Sequence, residues 1–103
     1  MSRASKACDI SPAVRREVTA RDGGKCIICG TMQGIQLAHY LSRARMGRGI
    51  ARNLACMCLK CHAEMDNGKY HTAYQNAFKR HLQAKYEDWS ESDLRYTKWR
   101  NNP

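Results

Sequence analysis

The sequence predicts a small α+β fold, stapled through cysteines and flanked by helices. Three observations lead to it. Two CxxC pairs, Cys26/Cys29 and Cys58/Cys61, frame the middle of the chain. Between them lie two short runs with strand character, IQLAHY at 35–40 and LACM at 54–57. Helix signals stand before the first pair and after the second.

Length and charge set the bounds. At 103 residues the chain reads as one domain, near the small end of what folds alone. The expected layout is a flexible N-terminus at 1–10 and a single domain at 11–103. Its core is placed at 23–68 and its C-terminal helices at 70–99. A chain this short benefits from a staple, and a structural metal is one. Lysine and arginine total 18 against 9 acidic residues, a formal net charge of +9. That balance points to a polyanionic partner, most simply nucleic acid. No acidic residue stands between Asp22 and Glu64, whereas Lys25, Arg43, Arg45, Arg48, Arg52 and Lys60 do. No apolar run approaches the roughly 20 residues that span a membrane. The opening MSRASKACDI lacks the apolar stretch of a secretory signal. A cytoplasmic setting follows, in which thiols stay reduced and bind metal rather than pair as disulfides.

The elements follow in order. Residues 1–9 are polar and expected to fray. Ser11-Pro12 opens a helix, with Ser as the cap and Pro at the first helical position. That helix buries Val14 and Val18 and stops at Gly23-Gly24. The first CxxC forms a tight knuckle. Residues 35–40 make a strand, and 42–52, with two glycines and four arginines, a loop. The second strand runs from Leu54 to Met57 into the second knuckle. A short helix starts at His62 and ends before Asn67-Gly68. A longer helix covers 70–86, with Tyr70, Ala73, Tyr74, Ala77, Phe78, His81 and Leu82 on its packed face. Ser90 caps a last helix to about Trp99.

Four thiolates from Cys26, Cys29, Cys58 and Cys61 suit the tetrahedral preference of structural Zn2+. The 28 residues between Cys29 and Cys58 exceed the usual zinc-ribbon spacing of about 15–20. Something is therefore built into that interval. Cys56 could replace Cys58 by strand alternation, but Cys58 completes the CxxC, leaving Cys56 a buried hydrophobe and Cys8 a free thiol. His39 follows the first strand. Its imidazole, with an ordinary pKa of about 6.5, can accept a proton from water near neutral pH. Asn53 lies between that histidine and the second knuckle. His62 and Asp66 are four apart on a helix and share one face, a half-site for a divalent cation such as Mg2+, Mn2+ or Ni2+. His71 is a reserve ligand, and Glu64 faces elsewhere. Arg43, Arg45, Arg48 and Arg52 can fork onto phosphate oxygens. Arg43, closest to His39 in sequence, is expected to sit nearest that histidine.

His39, Asn53 and His62 stand in the order and approximate spacing of the HNH nucleases. That family is the zinc-supported branch of the His-Me finger (ββα-metal) endonucleases. The resemblance covers roughly Val14 to Tyr70. It is greatest to small phage and prophage HNH proteins, through RDGGKCIICG, AHYLSRA and NLACMCLKCH. The later DWSESDLRYTK resembles them as well. The resemblance implies a ββα-metal core and a metal-dependent DNA endonuclease leaving 5′-phosphate and 3′-hydroxyl ends. It implies that His39 is the general base, that His62 binds the catalytic cation, and that Asn53 tethers the loop and orients the imidazole. It also implies a bacterial host cytoplasm, phage packaging or recombination proteins as partners, and a monomer or weak dimer. One position departs from the pattern. Many members carry a metal-binding Asp, Glu or His just before the base histidine, where this chain has Ala38. Two other readings stay open: an inactive zinc-stapled nucleic-acid-binding module, and a protein-interaction domain anchored by Tyr86, Trp89, Tyr96 and Trp99.

Overall fold

A two-stranded antiparallel sheet forms the centre of the computed structural model, which describes residues 3–97. Strand β1 (Ile35–His39) pairs with β2 (Leu54–Cys58), with Ile35 opposite Cys58 and His39 opposite Leu54. Helix α3 (Leu59–Asn67) leaves β2 directly, giving a ββα unit. Every residue of β2 is buried, because both faces of that strand are covered. On one face Leu54 and Cys56 pack with Val18 of α2 (Pro12–Asp22). On the other, Ala38, Ala55 and Met57 pack with Met65 of α3 and with Phe78 and Leu82 of α4 (His71–Lys85). A one-residue slip would exchange these two faces, so the double burial fixes the register.

Local chemistry explains the boundaries. The Ser11 hydroxyl accepts from the Val14 amide at 3.1 Å, and Gly23 closes α2 at φ 69°, a conformation that favours glycine. Helix α3 starts at Leu59, earlier than the expected His62. Its cap is Cys58, whose sulfur accepts from the Cys61 amide at 3.4 Å, so the second knuckle is the helix's own first turn.

Two expectations at the ends are corrected. Where an irregular N-terminal segment was expected, Arg3–Cys8 form helix α1, and Cys8 is 3% exposed. The arginine-rich loop holds it there. The Gly49 amide donates to the Ala7 carbonyl at 2.8 Å, and a Cβ at Gly49 would fall 2.0 Å from the Asp9 carbonyl oxygen. Only glycine permits that approach. The expected last helix is instead a single 3₁₀ turn, Glu91–Asp93. Residues 94–96 pair with the loop, through Arg48 N–H to Leu94 O and Tyr96 N–H to Met46 O, both 2.8 Å. Backbone spent on that pairing cannot also close helical turns. Trp99 lies outside the described residues. Among the described residues no helix is long and apolar enough to cross a membrane.

Candidate active site

The two knuckles meet. The sulfurs of Cys26, Cys29, Cys58 and Cys61 all lie within 4.8 Å of one another, and Cys29 Sγ is 3.7 Å from Cys58 Sγ. A tetrahedron with Zn–S bonds of about 2.3 Å has edges of about 3.8 Å. Amides of Ile28 and Cys29 donate to Cys26 Sγ at 3.4 and 3.5 Å. Burial opposes ionisation of Cys26, but the surrounding amides prevail and bring its thiol to about 7. Burial and the neighbouring thiols push Cys61 up. A divalent cation would relieve this crowding, and the four cysteines could hold zinc. Cys56 is outside the group, packed against Val18 and Leu54.

His39 ends β1. Its Nε2 lies 3.1 Å from the carbonyl oxygen of Cys8. A carbonyl can only accept, so this ring nitrogen carries the proton and Nδ1 keeps its lone pair. Burial lowers the pKa of His39 below its ordinary 6.5. The Cys8 carbonyl opposes that shift, while the charges of Arg43 and His62 add to it. The ring is therefore neutral at pH 7.

His62 projects from α3 with a partner at each ring nitrogen. Nδ1 meets Oε1 of Gln36, and Nε2 lies 3.4 Å from Oδ2 of Asp66. The expected His62–Asp66 face is thus present. Both residues line a cavity of about 640 Å3 together with His39, Arg43, Asp9 and Arg15. A second cavity of about 580 Å3 shares His39 and Asp66 and reaches Arg45 and His71. Glu64 faces elsewhere, accepting from the Tyr74 hydroxyl at 2.8 Å.

Asn53 is fully buried and its amide is spent on the loop. Oδ1 accepts from the Leu41 amide at 2.8 Å, and Nδ2 donates to Leu41 O at 3.1 Å and Arg48 O at 2.9 Å. This is a tether across the loop. The amide's bonds do not run to the imidazole, which Cys8 orients instead.

The arginines divide. Arg43 donates to Cys8 O at 2.6 Å and to Asp9 Oδ1 at 2.7 Å, beside His39. Arg45 is exposed. Arg48 donates to the Asp93 carbonyl at 3.1 Å. Arg52 pairs with Asp88 at 2.8 Å and lies 4.8 Å above the Tyr86 ring. Arg48 and Arg52 are thus engaged by the C-terminal segment, as Arg43 is by Cys8 and Asp9. Arg15 of α2 takes a place in the cavity that the loop-centred reading missed. Its one sequence signal is that it follows the inward-facing Val14.

Ala38 is also fully buried, within the core. Behind the sheet, Asp22 organises a second polar centre. Arg21 forks onto it at 2.7 and 2.9 Å, His81 Nε2 lies at 2.8 Å and the Cys56 amide donates at 2.9 Å. Arg21 also reaches the carbonyls of Ala51 and Leu54 and the Tyr86 hydroxyl. This cluster braces α2 against β2 and α4.

No protein-family model matches the chain, and neither does any curated protein. Among solved structures it is similar to the Type IV phosphorothioation-dependent restriction endonuclease ScoMcrA. The TM-score is 0.64 at 20% identity, over 76% of this chain and 17% of that one. The chain therefore spans under a fifth of that neighbour's length. The likeness is one of fold.

Proposed function

We propose that this protein is a metal-dependent endonuclease of the HNH type, hydrolysing DNA phosphodiester bonds. The observation that carries the reading is the Cys8–His39 hydrogen bond. It fixes the proton on Nε2 and leaves Nδ1 as the free base of a ring that burial keeps neutral, in the cavity shared with His62 and Asp66. The fold likeness to a restriction endonuclease supports it.

His62 Nε2 and Asp66 Oδ2, 3.4 Å apart, are spaced to share one ion. Adjacent ligands at about 2.1 Å from an ion stand about 3.0–3.4 Å apart. The bound cation would supply charge on the phosphate oxygens and the departing 3′ oxygen. The protein does the rest. His39 takes a proton from the attacking water at Nδ1. Arg43, now held by Asp9, turns to the phosphate oxygens. Arg15 and Arg45 receive neighbouring phosphates, one from each cavity. Asn53 keeps the loop that carries Arg43 closed beside the base. A histidine nitrogen in so small a ligand set favours Mn2+ or Ni2+ over Mg2+.

The test is cleavage of an end-labelled duplex with each of these ions. Cleavage that needs added metal, stops with a chelator and leaves ligatable 5′-phosphate ends supports the proposal. Absence of cleavage with every ion would refute it. Ala38 favours the second reading, a binding module without catalysis, which predicts salt-sensitive DNA binding and no cleavage at all.

A further inference from the structure

Gln36 is absorbed by none of the roles above, yet it touches the site. It sits on β1 opposite Met57 and, by strand alternation, on the same face as Ala38. Its Oε1 meets His62 Nδ1, across the ring from Asp66. An amide oxygen can only accept, so Nδ1 carries a ring proton, and Nε2, facing the Asp66 carboxylate, is the nitrogen left to bind a cation. Histidines that bind metal through one nitrogen characteristically donate the other N–H to a carbonyl or carboxylate, which fixes both tautomer and ring angle.

We infer that Gln36 is a positioning residue for cation binding: its side-chain carbonyl holds His62 with Nε2 turned toward Asp66. The inference rests on the cation-site reading above and deepens it. A β1 residue thereby serves the cation even though Ala38, two positions on, cannot. Gln36 contributes as a partner of the ligand rather than as a ligand. The arrangement also ties the sheet to α3 at the point where the helix presents its two donors. The separation of the donors is then set by β1 as well as by helical spacing.

The test uses the full chain with zinc in place and reads the imidazole directly. Nitrogen NMR of the protein without added divalent cation reports which His62 nitrogen is protonated. Mn2+ binding is measured on the same samples. Wild type is expected to show the Nδ1–H tautomer. Gln36→Met keeps the side chain's length but removes the acceptor. It is expected to give a mixture of tautomers and Mn2+ affinity about tenfold to a hundredfold weaker. Gln36→Glu restores an acceptor and is expected to recover the tautomer. If Gln36→Met retains both the wild-type tautomer and the wild-type Mn2+ affinity, the inference is overturned. If Gln36→Met fails to fold, Gln36→Glu decides alone, since a mixed tautomer there would equally overturn it. The nuclease proposal fails separately: wild type that binds Mn2+ with the expected tautomer but cuts no DNA would refute that proposal and leave Gln36's role intact.

Discussion

The carbonyl of Cys8 accepts from two groups of the site at once, His39 Nε2 at 3.1 Å and Arg43 Nη1 at 2.6 Å. The end of the N-terminal helix is therefore part of the site's frame. A shared acceptor places the guanidinium beside the imidazole, and that proximity helps keep the imidazole neutral.

The first prediction concerns pH. With its pKa below 6.5, His39 stays neutral through pH 7 and protonates only in more acid solution. Cleavage should be flat near neutrality and fall below about pH 6.5, tending to tenfold per unit. Arg43→Gln removes a nearby positive charge and so should move the acid limb to higher pH. Single-turnover rates across pH 5–8 check both. A limb unmoved by Arg43→Gln would contradict the electrostatic coupling.

Zinc removal should unfold the middle of the chain. Both knuckles, the start of α3 and the packing of Cys26, Cys58 and Cys61 in the core depend on the cluster. Structural zinc contributes on the order of 10 kcal/mol in small domains, more than a chain this size can spare. One zinc per chain is expected by native mass spectrometry. Chelation or Cys61→Ser should abolish the cooperative thermal transition. A sharp transition surviving in the metal-free protein would argue against this dependence.

Asp22 should carry a large share of the acid sensitivity. Burial disfavours its charge, but His81, Arg21 and the Cys56 amide outweigh burial and hold its pKa far below 3.8. A depressed carboxylate stabilises the fold fully above its ordinary pKa, and the contribution is lost as pH falls toward the folded value. Asp22→Asn should cost about 3–5 kcal/mol near neutrality, because it leaves Arg21 without its buried counter-charge. Between about pH 4 and pH 2 the gap between variant and wild type should narrow. Urea unfolding at several pH values measures it. The comparison is confined to pH values at which both proteins still hold zinc, since neither is expected to unfold cooperatively without it.

DNA affinity should separate the arginines. Arg15→Gln and Arg43→Gln should each weaken binding and reduce the salt slope by about one ion. Arg52→Gln should leave the slope unchanged and lower stability instead, because Arg52 pairs with Asp88 and stacks on Tyr86. Fluorescence anisotropy against salt concentration distinguishes them. Equal losses of slope at Arg15 and Arg52 would contradict this division.

Much of this was legible in the sequence where spacing carries geometry. The CxxC pairs gave the cysteine cluster, Ser11-Pro12 and Gly23 gave the bounds of α2, and the four-residue step from His62 to Asp66 gave a shared helical face. What escaped depends on contacts distant in sequence. Nothing local to Cys8 says that its carbonyl will meet His39, or that Gly49 will admit the backbone of Asp9. The loop arginines look equivalent as a string, yet Asp9 holds Arg43, Asp88 and Tyr86 hold Arg52, and the Asp93 carbonyl engages Arg48. Ser90 signals a helix correctly at its first turn, but strand-like pairing of 94–96 with 46–48 then takes the backbone. Gln36 was silent because a lone amide in a strand carries no pattern until its partner is known.

The most direct measurement of the central claim is supercoiled-plasmid cleavage with Mn2+ by wild type and by His39→Ala. Both proteins must first be shown to hold zinc and to bind DNA equally. The account predicts cleavage by wild type and a loss of about a hundredfold or more in the variant, the scale of a removed general base. Equal cleavage by the two proteins would contradict it.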